Sequence, residues 1–336
     1  MMVMKINKMI LRKILSLLIL ILLLVSFFIW KDDLKGTFNG GGVSIKEKYF
    51  KHSPISELRK KAEQGNMNAQ SDLGLLYENG KGVEKNYSMA FYWYKKSSEQ
   101  GYAVAQYNLG AAYENGRGTV RDLQQARKWY SRSAEQGIEQ AQVNLGAMYL
   151  EGIAGINDYK EALHWFQSAA DKNNTIAMNN LGYMYSAGLG MPINHSKAIE
   201  WYQKSANLGS MKARNMLALY YLNEIGDLPV DNYKGLALLK SSACQGYVVA
   251  QNNLGLVYSN GNSEIPQDNV QAYAWFSVAL FNGQREASNL RDKIAMKLTA
   301  KELSQAILVS NDYIAKYPSS KQEDDIYKSK NECKYP

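Results

Sequence analysis

One triplet of residues recurs along this 336-residue chain at an almost fixed interval. Ala69, Ala105, Ala141, Ala177 and Ala213 are spaced by 36 residues, and Ala250 follows at 37. Four residues after each comes Leu73, Leu109, Leu145, Leu181, Leu217 or Leu254, and four further on Tyr77, Tyr113, Tyr149, Tyr185, Tyr221 or Tyr258. A spacing of four places all three on one face of a helix, here helix A. Self-similarity at such a period specifies an array of like units rather than one enlarged core. Chain length, which alone would suggest about two domains, is therefore a weak guide.

The rest of the unit repeats in step. Glycine follows the leucine at 74, 110, 146, 182 and 255, with Ala218 in the fifth unit. A mid-helix glycine costs roughly 1 kcal/mol against alanine, so its recurrence at one register points to the close approach of another helix. Glycine turns follow, including Gly80-Lys81-Gly82, Gly116-Arg117-Gly118 and Gly188-Leu189-Gly190. Asn86, Asp122, Asp158, Asn194, Asp231 and Asp268 then stand where a second helix, helix B, needs an N-cap. Gln125, Glu161 and Gln271, three residues on, offer capping boxes. Alanine comes four after the cap at 90, 126, 162, 198 and 272. Trp93, Trp129, Trp165, Trp201 and Trp275 come three later, with Leu238 in the fifth unit. Glycine closes helix B in every unit but one, where Asn173 stands in.

These marks divide the chain into six helix–turn–helix repeats at about 66–101, 102–137, 138–173, 174–209, 210–246 and 247–283. Ser56 to Gly65 reads as a lone helix B capping the start. Ala287, Leu290, Ile294 and Leu298 suggest a helix after the last repeat, and a second, from about 300 to 316, closes the array with Lys301, Glu302, Ser304 and Gln305 outward. The solenoid thus spans 54–316, and a polar tail runs from 317 to 336. The unit A-x-x-x-L-G-x-x-Y…G-x-G…(N/D)-x-x-x-A-x-x-W resembles the Sel-one-like repeat (SLR) family, a relative of the tetratricopeptide (TPR) repeat. The resemblance implies an all-α fold, an α/α solenoid wound as a right-handed superhelix, serving as a scaffold or adaptor in protein complexes. One branch of that family carries a cysteine pair in each repeat and is linked to β-lactams and cell-wall fragments; this chain lacks those cysteines.

Ahead of the array, Ile14 to Trp30 contains 17 residues without a charge, roughly 26 Å of helix and just enough to span a hydrocarbon core. The run ends in Phe27, Phe28, Ile29 and Trp30, an interfacial aromatic end rather than a small-residue cleavage site. The expected order is a basic cytoplasmic N-terminus at 1–13, a transmembrane signal anchor at 14–30 and a linker at 31–53. Basic residues stay inside, so in a bacterium the repeats face the periplasm from the inner membrane. Secretion after signal cleavage is the alternative.

Lys5, Lys8, Arg12 and Lys13 account for half of the net charge of +8. The remaining Lys and Arg are interspersed with acids, without the basic stripe of a nucleic-acid binder. The two cysteines, Cys244 and Cys333, read as a small buried hydrophobe and a free tail thiol; a disulfide between them requires the tail to fold back. His52, His164 and His195 lack metal-ligand spacing, and no HExxH, GxSxG or GxxxxGK[ST] motif occurs. No catalytic, metal-binding or cofactor-binding residue, no cofactor and no small-molecule substrate is expected.

The candidate partner-binding residues lie on helix A. Asn108, Asn144, Asn180 and Asn253 precede the leucine, with Asp72 and Met216 in the other two units. A ladder of amides on a concave face can both donate to and accept from the backbone of an extended peptide; the competing reading is that it ties repeat to repeat. Tyr107, Tyr183 and Tyr220 lie off the repeated register and read as surface contacts. The expected function is a membrane-anchored scaffold for a protein or peptide. The alternatives are a cell-wall protein that binds or hydrolyses peptidoglycan or β-lactams, and a secreted effector that meets a host protein.

Overall fold

The computed structural model describes residues 54–155, 157–226 and 228–319. The N-terminus at 1–13, the expected membrane span at 14–30, the linker at 31–53 and the tail from 320 lie outside the described residues. Among the described residues there are fifteen α-helices and no strand. None of these helices is long and apolar enough to cross a membrane.

The first helix is α1 (Pro54–Glu63), and the packing described below is that of the unit that begins at Lys61. Twelve helices form six A–B pairs: α2 (Met67–Asn79) with α3 (Tyr87–Glu99), α4 (Ala103–Asn115) with α5 (Leu123–Glu135), and α6 (Glu139–Glu151) with α7 (Tyr159–Ala170). Then come α8 (Thr175–Ala187) with α9 (His195–Asn207), α10 (Met211–Leu222) with α11 (Asn232–Cys244), and α12 (Val248–Asn260) with α13 (Asn269–Phe281). Two further helices, α14 (Ala287–Ala295) and α15 (Ala300–Lys316), follow the sixth pair.

The helix ends obey the sequence. Each of the six expected N-caps of helix B accepts a bond from a backbone N–H of the first turn. Glu161, expected to close a capping box, instead accepts from the indole of Trp165 at 3.1 Å. A reciprocal box does form at Thr299 with Glu302, at the start of α15. Asn173, the stand-in for glycine after the third helix B, has φ +67°, the left-handed conformation that asparagine tolerates best after glycine.

What fixes the spacing within a pair is the glycine after the leucine. A Cβ at Gly146 would lie 2.9 Å from the Phe166 ring, and at Gly74, Gly110, Gly182 and Gly255 it would come as close or closer to the rings of Tyr94, Tyr130, Tyr202 and Phe276. Each ring belongs to the residue after the helix B tryptophan position. In the fifth unit, where Ala218 replaces the glycine, the partner is Leu239, and both are fully buried. Helix B therefore presents its deepest side chain four residues after the repeated alanine, on the alanine's own face. The tryptophan, one residue earlier, is turned toward the preceding unit: Trp129 packs with Ala90, Tyr94 and Leu109. Trp165 and Trp201 are only half-buried.

Polar side chains lock the stack. Ser97, Ser133, Ser205 and Ser242 on helix B donate to first-turn carbonyls of their own helix A, at 2.7–3.2 Å. Gln70, Gln106, Gln142 and Gln251 donate to carbonyls near the end of the preceding helix B. The acceptor for Gln70 is Ala62 of α1, in the register of Ser98 and Ala134, so α1 takes the place of a helix B at the start. At the other end, Tyr317 was expected to begin a polar tail. It is buried, its ring stacked at 5.5 Å on Trp275. The outward face of α15 carries exposed Ile307 and Leu308 besides the expected polar residues. Cys244 is disulfide-bonded rather than a buried thiol, and Cys333 lies outside the described residues.

Two outcomes follow from this packing. Gly146→Ala pushes a methyl into the Phe166 ring and should cost about 1–3 kcal/mol. Combined with Phe166→Leu, the pairing of the fifth unit, it should cost less, a coupling of about 1 kcal/mol in a double-mutant cycle by denaturant unfolding; independent effects would contradict the packing. The second outcome concerns Tyr94 and Tyr130. Their hydroxyls donate to Glu78 and Glu114 at 2.8 and 2.6 Å, and burial, reinforced by those carboxylates, raises both phenol pKa values. A folded-state pKa raised above the unfolded value means stability that is complete below about pH 10 and is lost as pH rises past it. Melting followed from pH 8 to 11.5 should show that loss, and it should be shallower in Tyr130→Phe.

Candidate functional site

Positions five before, one before and two after the helix A leucine are spaced by four and three residues, and so form one stripe along each helix. Four of the large apolar residues that helix A leaves exposed lie on this stripe, Val104 and Val249 at the first position and Leu75 and Tyr183 at the last, while Met67 lies off it. The asparagines occupy the middle position and are half-buried. The helices A of the first four units carry no Lys or Arg, but do carry Asp72, Glu78, Glu114, Glu139 and Glu151. The helices B of the first four units, in contrast, do carry cations, several of them set over rings, as Arg132 is over Trp129 at 4.7 Å and Lys204 over Trp201 at 4.3 Å.

The stripe deepens over the third and fourth units into a pocket of about 520 Å³. Tyr107, Asn144, Ile176 and Leu208 line it, together with Glu139 and Lys172. It brings together two of the residues singled out by sequence. Tyr107 is held with its ring 5.7 Å from that of Tyr130. Asn144 lies near the Tyr130 hydroxyl of the preceding unit and faces the pocket. Asn253 donates to Asn215 of the preceding unit at 2.9 Å. Asn108 and Asn180 hold the same register on α4 and α8. Tyr183 is half-exposed, as a contact residue needs to be.

Tyr220 is placed differently. It is 3% exposed, with its hydroxyl 3.0 Å from Nδ1 of His195. It lies three residues after Leu217, the register of buried Ala112, Met148 and Met184, and so faces the core. That spacing was available in the sequence and marks Tyr220 as a packing residue. Sequence reasoning missed Val104, Ile176 and Val249, whose signal is the seven-residue step that joins them to the stripe's other end. Among the described residues no three His, Cys, Asp or Glu come together as a metal-ligand group.

The sequence profile of the Sel1 repeat matches residues 68–102, 103–138, 139–174, 175–210, 212–247 and 248–280. This chain belongs to the Sel1 repeat family. Its fold is similar to a Sel1 repeat protein from Oxalobacter formigenes, at 31% identity over 69% of this chain and 91% of that one, with a TM-score of 0.61. It is also similar to a protective antigen present in uropathogenic Escherichia coli strains that displays an SLR fold, at 32% identity over 78% of this chain and a TM-score of 0.51. The Sel1 repeat chain spans 64% of that antigen's length. No match was found among curated proteins. Sel1 repeat proteins generally mediate protein–protein interaction, and the family's scaffolds are generally non-enzymatic.

The two tyrosines give the test of this face. Tyr183→Ala should leave stability within about 0.5 kcal/mol, as an exposed substitution does, whereas Tyr220→Ala should cost about 3–5 kcal/mol by opening a cavity in the core. Denaturant titration of both variants measures the difference, and equal losses would contradict the placement of Tyr183 on the open stripe.

Proposed function

We propose that this Sel1 repeat protein is a non-catalytic scaffold, tethered to a membrane by residues 14–30, that holds a protein or peptide along the stripe of its helices A. The observation that carries the reading is the stripe itself. It sets exposed Leu75, Val104, Tyr183 and Val249 in line with the asparagines, and deepens into a pocket lined by Tyr107 and Asn144. Apolar area supplies affinity for a partner, and the amides suit a chain with polar backbone groups to satisfy.

The tether is supported by the 17-residue uncharged segment and the four basic residues ahead of it, a pattern that favours an array on the far side of the membrane from the cytoplasm. The disulfide at Cys244 supports an oxidising compartment, where such bonds persist. The similarity to an antigen of uropathogenic strains is in line with a chain displayed outside the cytoplasm.

Photo-crosslinkers at positions 180 and 183, on the stripe, should trap the same partner in intact cells, and one at Lys128 on helix B should not. Equal trapping from both faces would overturn the assignment of the face. In the same cells the protein should sediment with membranes with its N-terminus uncleaved, and Cys244 should resist alkylation until reductant is added. A soluble mature chain beginning after residue 30 would overturn the tether.

A further inference from the structure

The position fourteen residues after the N-cap of helix B is Gln100, Gln136, Lys172, Leu208, Gln245 and Asn282 in successive units. In the first two units it ties neighbours together. Gln100 donates to Oε1 of Gln70 at 2.6 Å, and Gln136 donates to Oε1 of Gln106 at 2.7 Å and to the carbonyl of Gly101 at 3.0 Å. Lys172 and Leu208 replace the carboxamide in the third and fourth units. In the sixth, Asn282 donates to Oε1 of Gln251 at 2.9 Å and also holds the chain beyond α15. Its amide donates to the carbonyl of Tyr317, and its Oδ1 accepts from the N–H of Ser319, both at 2.9 Å.

This grip sets the root of the tail beside Cys244. Nε2 of Gln251 donates to the carbonyls of Ala243 at 3.0 Å and of Tyr317 at 3.3 Å, so the two backbones meet at one nitrogen. Ala243 immediately precedes Cys244, the last residue of α11. Cys244 is half-buried and packed against the core cluster that also holds Trp275, Tyr313 and Tyr317. It is disulfide-bonded.

We propose that its partner is Cys333 of the same chain, so that residues 320–333 double back as a strap joining α11 to the closing helix α15. Length permits the return. Cys333 follows Ser319 by 14 residues, about 46 Å of extended chain, and a disulfide needs the two Cα atoms within about 7 Å. The chain has two cysteines, so the other partners open to Cys244 are a second molecule or a small thiol. A root fixed beside Cys244 keeps Cys333 at high effective concentration, and a half-buried sulfur favours the thin end of a chain over a second folded array. The bond forms by exchange with a disulfide oxidant. One cysteine thiolate attacks the oxidant's S–S bond and displaces a thiol; the other attacks the mixed disulfide and displaces a second. The two electrons and two protons that the cysteines lose thus reduce the oxidant to two thiols. The strap encloses the sixth unit, α14 and α15, the part of the array with no following unit to lean on. Because repeats couple chiefly to their neighbours, reduction should loosen this end and spare the start.

The test uses the full-length protein in non-ionic detergent. Digestion without reductant, followed by mass spectrometry, should yield the Cys244 peptide linked to the Cys333 peptide. A Cys244–Cys244 linkage, or Cys244 capped by a small thiol, would overturn the pairing. Cys333→Ser should lower the melting temperature by about 5–15 °C and speed hydrogen exchange in α13 and α15, with α2 to α5 unchanged. Reductant should do the same to the unaltered chain and nothing further to the variant. Melting and exchange indistinguishable from the unaltered chain would overturn the strap's hold on this end. Asn282→Ala removes the grip and leaves both cysteines. It should slow reoxidation of the reduced chain by oxidised glutathione several-fold, and an unchanged rate would overturn the role of the root; should that variant fold poorly, Cys333→Ser still decides the strap.

Discussion

A ring lying against a glycine sets the geometry of every complete unit but one. Because Gly74, Gly110, Gly146, Gly182 and Gly255 have no Cβ, helix A lets the Tyr or Phe of its partner rest on its backbone. That contact buries an entire aromatic side chain, a gain of about 1.5–3 kcal/mol for a residue of that size, which more than offsets the roughly 1 kcal/mol that glycine costs a helix. The fifth unit reaches the same end by exchanging both partners together, alanine for glycine and leucine for the ring. The contact is thus a property of the pair, and neither residue alone explains it.

From that spacing the rest of the array follows. With the ring turned inward, the tryptophan one residue before it is aimed at the preceding unit, and the serines and glutamines reach carbonyls on neighbouring helices. These bonds satisfy buried polar groups that would otherwise oppose stacking. They also leave Leu75, Val104, Tyr183 and Val249 exposed on their helices A. A solenoid of nearest-neighbour units can vary one register position in one unit without disturbing the others, as Lys172 and Leu208 illustrate.

Much of this was legible in the sequence, since the signals were local and repeated. The Ala–Leu–Tyr spacing gave the buried face of helix A, and the Asn and Asp caps gave the start of each helix B with no error. The depth of Tyr94 or Phe166 against Trp93 or Trp165 was not legible, because neighbouring positions on a helix differ by only about 100° and both are aromatic. Tyr220 was misplaced for a related reason: it was judged by residue type, when its distance from Leu217 already set it in the core. The pocket was hidden because its lining comes from three successive units, with Tyr107, Asn144 and Leu208 far apart in sequence. Tyr317 is covered by Tyr313 and by a contact with Trp275, far away in sequence.

The ring-on-glycine contact has a direct spectroscopic signature. In a proton–carbon correlation spectrum of the repeat protein, the α-protons of Gly74, Gly110, Gly146, Gly182 and Gly255 lie against aromatic rings, while those of Gly65, Gly101 and Gly283 have open space around them. The first five should be shifted upfield by ring currents and show cross-relaxation to ring protons of Tyr94, Tyr130, Phe166, Tyr202 and Phe276. If all eight glycines resonate together, and none of the five shows a contact to its ring, the helices of a unit are not held as described here.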